Sequence, residues 1–206
     1  MSRGPSVWPA AALSAGFGFL SMGFQLVGSR LLAPYFGSSI LVWAVLISTF
    51  LAAFACGSFT GGVLSRHWPN LRVRVAAAVF GAGLAGLAFT AFAGKALLGV
   101  LIGIFEALIP GLAVACLTLF FVPVVALSAV NPLLIEVLSH GTGRAGFVSG
   151  SLFAISTAGN IAGVLGTAFL LIPNVGTAAL LAGWTIVAGA LYALLATYLQ
   201  AVRPQP

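Results

Sequence analysis

Six polar side chains stand inside or at the edge of long apolar runs: Gln25, Arg30, Asn131, Glu136, Ser156 and Asn160. In hydrocarbon an amide or a charge must find a partner or line water, so each is a candidate for a substrate or ion path. Glu136 could attract a cation such as a polyamine, with Asn131 and a kink at Pro132 shaping the site. It could equally be a carboxylate at the membrane edge, beside His140 or Arg144. Gln25 and Arg30 could form the mouth of a cavity. Alternatively Arg30 snorkels to the headgroups while Gln25 bonds a neighbouring helix. Asn160, with Ser156 and Thr157, could line a pathway or hold helices together by hydrogen bonds. No nucleophile–base pair and no metal set can be assembled, so no catalytic residue, metal or cofactor is expected. Cys56 and Cys116 both lie in apolar runs and read as small hydrophobes, with no disulfide or metal-ligand spacing.

The elements that would position these groups follow from composition. The chain has 206 residues, a mean hydropathy of +1.20, 61% hydrophobic residues and 5% charged. A soluble domain of this size needs more charge to cover its surface. Apolar runs long enough to span a bilayer recur along the length, so the sequence predicts one all-α integral membrane domain. The net charge of +6 comes from eight Lys and Arg against two Asp and Glu. The positives cluster in short connections, which fits membrane topology; nucleic acid is not an expected partner.

Six transmembrane helices are predicted, at about 7–32, 40–65, 75–93, 112–138, 147–172 and 177–199. The apolar start is too long for a signal-peptide core and is read as a retained first helix. The segment 95–109, which carries Glu106 and is followed by Pro110-Gly111, is short for a span and is read as an interfacial or re-entrant helix. A seventh span is the alternative. Pro123 and Pro132 are expected to kink the fourth helix. Small-residue pairs predict tight helix contacts: Gly57 with Gly61, Ser58 with Gly62, and Gly159 with Gly163. Gly81 to Gly86 formally reads GxGxxG, but no strand precedes it, so helix packing explains it better than a dinucleotide fingerprint.

With both termini in the cytoplasm of a bacterial inner membrane, Arg3, Arg66, Arg72, Arg74, Arg144 and Arg203 face inside, leaving Arg30 and Lys95 outside. A seventh helix would move Arg144 and Arg203 out, so six helices are preferred.

Two blocks carry a family resemblance. SRLLAPYFGSSILVWAVLISTFLAAFACGSFTGG, from Ser29, and GSLFAISTAGNIAGVLGTAFLLIPNVG, from Gly150 to Gly176, resemble the membrane portion of the membrane-bound spermidine synthase-like proteins, also described as fused major-facilitator/spermidine synthases. The resemblance implies a bundle like half of a major-facilitator transporter, next to a cytoplasmic aminopropyltransferase domain acting on decarboxylated S-adenosylmethionine and a polyamine. The sequence ends at Pro206 before such a domain, and its two acids are Glu106 and Glu136. The expectation is therefore a non-catalytic membrane module whose partners are the lipid bilayer, a second copy of the chain and a separate soluble spermidine synthase-like protein. Polyamine or small-cation transport is an accompanying expectation, and a stand-alone transporter or channel working as a dimer is the alternative. Gln25 and Ser65 stand where related proteins tend to have acids, which argues against proton-coupled transport through those positions.

Overall fold

In the computed structural model, the structure describes residues 7–66, 73–140 and 145–202. Among them there is no strand, and six helices are long and apolar enough to cross a membrane. These are α1 (Val7–Phe36), α2 (Ile40–Ser65), α3 (Val73–Ile104), α4 (Leu108–Ser139), α5 (Ala145–Asn174) and α6 (Thr177–Val202). The protein is an all-α membrane bundle of six helices, as the apolar runs require: a spanning segment must satisfy its own backbone hydrogen bonds.

The segment 95–109 is not a separate interfacial helix, which corrects the sequence reading. α3 runs on through Lys95 to Ile104, and the connection to α4 is only residues 105–107. Nothing between Ala93 and Ile104 breaks a helix, and Gly94 packs against Leu31 and Leu119. Pro110, which follows that segment, lies in the first turn of α4. A proline is tolerated there because the missing N–H has no partner within the helix anyway. α1 likewise runs past its expected end at 32, with Pro34 in its last turn, and stops at Gly37. Gly37 adopts φ +76° and donates its N–H to the Ala33 carbonyl at 3.0 Å. That left-handed step is where helices end on glycine.

α4 is irregular. Leu108–Cys116 is α-helical, Leu117–Phe121 widens into a π-helical turn, and Val122–Ser128 returns to α. After Ala129, Val130–Ser139 completes the span. α5 repeats the device with a π-helical turn at Thr167–Leu171. Each wide turn ends two residues before a proline, Pro123 or Pro173, and the extra room relieves the clash of the proline ring with the preceding turn. The carbonyl of Leu119, four residues before Pro123, accepts a hydrogen bond from Thr90 Oγ1 of α3 at 2.6 Å. Thr90 is 1% exposed, and its single hydroxyl proton is shared with the Gly86 carbonyl at 2.9 Å. Thr90→Val keeps the shape and removes the donor. It is expected to lower stability by about 1–3 kcal/mol, read as a lower unfolding midpoint in detergent, because it strands a buried carbonyl. Thr90→Ser should retain the midpoint.

The two most enclosed helices, α1 and α4, form the centre. α2 and α3 flank α4, while α5 and α6 flank α1, and α3 also meets α6. Glycine seams set these approaches. A Cβ on Gly159 would lie 2.2 Å from the Ala15 carbonyl oxygen, and one on Gly163 would lie 2.3 Å from that of Phe19. A Cβ on Gly61 would lie 2.2 Å from the Ala129 oxygen, and one on Gly57 2.4 Å from that of Val125. Gly62 is the exception: none of the described residues lies within 4 Å of its Cβ position, so its expected packing role is not observed among them. One residue turns a helix by about 100°, which takes Gly62 off the face that Gly61 presents to α4. Gly83 and Gly86 meet Ala126 and Pro123 of α4, so the formal GxGxxG is a packing seam. Phe24, Phe50 and Phe120 close the centre from α1, α2 and α4, with ring centroids 5.5–6.0 Å apart. Outward positions such as Phe59, Phe92, Phe153 and Phe169 are exposed, as suits a lipid-facing surface.

Candidate functional site

The interior polar groups converge where α1, α4 and α5 meet. Ser14 Oγ of α1 donates to Asn131 Oδ1 of α4 at 2.8 Å, and Asn131 Nδ2 donates to Ser156 Oγ of α5 at 2.7 Å. Ser14 also lies 3.3 Å from the Leu152 carbonyl. Both ends of the Asn131 amide are thus engaged, each by a different helix. The site exists because α1 and α5 are in backbone contact: a Cβ on Gly18 would lie 2.5 Å from the Ser156 carbonyl oxygen. Asn131 stands two residues after Ala129, where the regular α-helix is interrupted, and just ahead of Pro132. Bonds of this kind between membrane helices contribute about 0.6–2 kcal/mol each.

Of the sequence candidates, Asn131 and Ser156 are brought together. Asn160 lies one turn along α5 and packs its amide against Gly18. The others go elsewhere. Gln25 is half-buried on α1 and makes no hydrogen bond with the described residues. Glu136 faces His140 instead of Asn131, with Oε1 3.4 Å from Nδ1 in a partly exposed pair. Five residues rotate a helix by about 500°, so Asn131 and Glu136, like Gln25 and Arg30, point about 140° apart and cannot share a site.

Arg30 joins a different group. Its Nη1 donates to the Ile172 carbonyl near the end of α5, where a cation complements both the unpaired carbonyls and the helix dipole. Beside it is a hollow of about 230 Å³ lined by Arg30, Leu31, Pro34, Tyr35, Lys95 and Thr177. Tyr35 donates its hydroxyl to the Lys95 carbonyl at 3.2 Å, tying α1 to α3. Thr177 is the first residue of α6. Neither of the chain's two acids pairs with Arg30 or Lys95: Glu136 faces His140, and Glu106 is exposed in the α3–α4 connection.

Ser14, Thr90, Tyr35 and Thr177 were not anticipated. Ser14 had a signal, since it stands four residues before Gly18 on the small side of α1. The other three are defined by partners distant in sequence. Two buried hydroxyls, Thr167 Oγ1 and Tyr192 OH, have no hydrogen-bond partner among the described residues. Tyr192 is clasped between the rings of Phe17 and Phe80, at 5.1 and 5.0 Å. Trp184 Nε1 donates to the Leu20 carbonyl at 2.9 Å and holds α6 to α1. Among the described residues no three His, Cys, Asp or Glu side chains are close enough to share a metal ion. The side chains of Arg3, His67, Arg72, Arg74, Arg144 and Arg203, on which the expected charge asymmetry and the loop readings rest, lie outside the described residues.

Comparison of the chain with family models, with curated proteins and with solved structures returns no match.

Proposed function

We propose that this membrane bundle is a non-catalytic module of the spermidine synthase-like kind, which anchors or partners a cytoplasmic aminopropyltransferase-like enzyme. The observation that supports this best is the use made of the interior polar groups. Ser14, Asn131 and Ser156 are spent on one another across three helices, with both ends of the amide engaged, as in a rigid platform. The sequence blocks that carry the resemblance coincide with the α1–α2 region and with α5, whose glycines form the tightest seams. The arginine distribution favours a bacterial inner membrane with both termini cytoplasmic, the side on which such an enzyme would sit. The tagged chain, isolated from its own membranes after mild crosslinking, should retain a soluble protein that transfers an aminopropyl group from decarboxylated S-adenosylmethionine to a polyamine. Recovery of the chain without that activity would sink the anchoring role.

A second reading is a small polyamine or cation transporter or channel, a major-facilitator-half-like unit that pairs with a second copy. The discontinuity of α4 at its π-helical turn and at Ala129 favours it, because transporters form sites at broken helices. Polyamine flux in proteoliposomes, lost on Glu136→Ala, is its expected signature; absence of flux removes it.

A further inference from the structure

We propose that the hollow between α1, α3 and the start of α6 is a binding site for a phosphate-bearing anion, for which the headgroup of an anionic phospholipid is the source at hand in a bilayer. Arg30 and Lys95 line it together, from helices far apart in sequence. Two cations brought to one hollow repel each other unless an anion sits between them. The protein does not supply that anion, since Glu106 and Glu136 are its only acids and neither reaches them. Among the described residues no carboxylate supplies the counter-charge, and the hollow is open to an anion from outside.

The remaining walls suit the same ligand. Arg30 is held by its bond to the Ile172 carbonyl, so its guanidinium is fixed in place with further donors free. A planar fork of this kind matches phosphate oxygens. Thr177 opens α6, whose backbone hydrogen bonding begins with the Leu180 N–H donating to the Gly176 carbonyl at 3.0 Å. The N–H groups ahead of Leu180 have no carbonyl within the helix, and they lie at its positive end. The Tyr35 hydroxyl donates to the Lys95 carbonyl, which holds the lysine-bearing turn against α1. Leu31 and Pro34 give the hollow an apolar flank, where the first carbons of a lipid tail can lie. At about 230 Å³ the space is small for a drug-sized molecule but fits a headgroup. In the orientation proposed above, Arg30 and Lys95 are also the two cations on the translocated side, where Lys and Arg are disfavoured. That both exceptions line one hollow has a reason if they serve one ligand.

Lys95 is exposed and its ammonium makes no ion pair with the described residues, so Lys95→Gln should leave the fold intact. Its unfolding midpoint in pure phosphatidylcholine nanodiscs should equal that of the unaltered protein. Native mass spectrometry of the full chain, released from phosphatidylcholine nanodiscs with added phosphatidylglycerol, should show a retained phosphatidylglycerol. Lys95→Gln should weaken that retention about tenfold, the loss of one charge-assisted contact. Arg30→Lys, which keeps the charge but loses the fork, should weaken it less than Arg30→Gln. In a parallel arm, delipidated protein in detergent is titrated with inorganic phosphate against chloride at equal ionic strength. A thermal shift there that Lys95→Gln removes, without lipid retention, supports the site and assigns it to a soluble phosphate. Retention and thermal shift both unchanged by Lys95→Gln, or phosphatidylcholine retained equally well, would overturn the proposal.

Discussion

Gly159→Ala and Gly163→Ala are each expected to destabilise the bundle by about 1–3 kcal/mol, the usual range for overpacking, and the pair together to part α1 from α5. At both positions the new methyl would meet backbone, not a side chain that can swing away. The contacts would be 2.2 Å to the Ala15 oxygen and 2.8 Å to its Cα, and 2.3 Å to the Phe19 oxygen. Relief requires moving one helix away from the other. That motion would also stretch the bonds joining Ser14, Asn131 and Ser156, which span the same crossing. The expected record is a lower midpoint in a detergent unfolding titration, with the double variant losing its cooperative transition. Gly62→Ala is the control. With nothing within 4 Å of its Cβ position, it should be neutral or stabilising by up to about 1 kcal/mol, the helix propensity difference. Equal losses at Gly62 and Gly159 would mean that the seam is not what holds α1 and α5.

The sequence makes the bundle legible for a physical reason. A membrane span must be apolar along its whole length, so helix number follows from hydropathy before any tertiary contact is known. Termini are harder to read, because proline and glycine carry more than one meaning. Pro110 begins a helix although it looks like a stop, and Pro34 sits in a last turn while Gly37, three residues on, makes the end. Helix faces were legible where small residues recur at the helical period, as at Gly57 and Gly61 and at Gly159 and Gly163. Gly62 fits such a pattern yet packs on none of the described residues, since spacing alone cannot say which of two adjacent faces meets a neighbour. The site was half legible. Asn131 and Ser156 announced themselves as polar residues in apolar runs. Their bond to each other and to Ser14, and the meeting of Lys95 with Arg30, depend on which helices are neighbours, and that is a property of the fold.

The polar junction yields the second large effect, and its sign pattern separates a staple from a passage. Ser14→Ala with Ser156→Ala removes both partners of the Asn131 amide and leaves its oxygen and nitrogen facing an apolar crossing. Each stranded group costs about 1–3 kcal/mol, so the double variant should lose roughly 2–4 kcal/mol, allowing for partial relaxation. Adding Asn131→Leu removes the stranded amide itself. The triple variant should therefore regain part of the loss, because replacing all partners of a hydrogen-bonded set by apolar groups is close to neutral. Asn131→Leu alone should be milder than the double variant. Ser14 can turn wholly to the Leu152 carbonyl, 3.3 Å away, and a helical serine can bond its own preceding turn. Unfolding midpoints of the four proteins test this order. A triple variant no more stable than the double would show that the serines do not act through Asn131. Its activity gives the functional half of the test. A platform repacked with apolar residues should still hold its enzyme partner, whereas a pathway that runs past Asn131 should lose polyamine flux in the same variant.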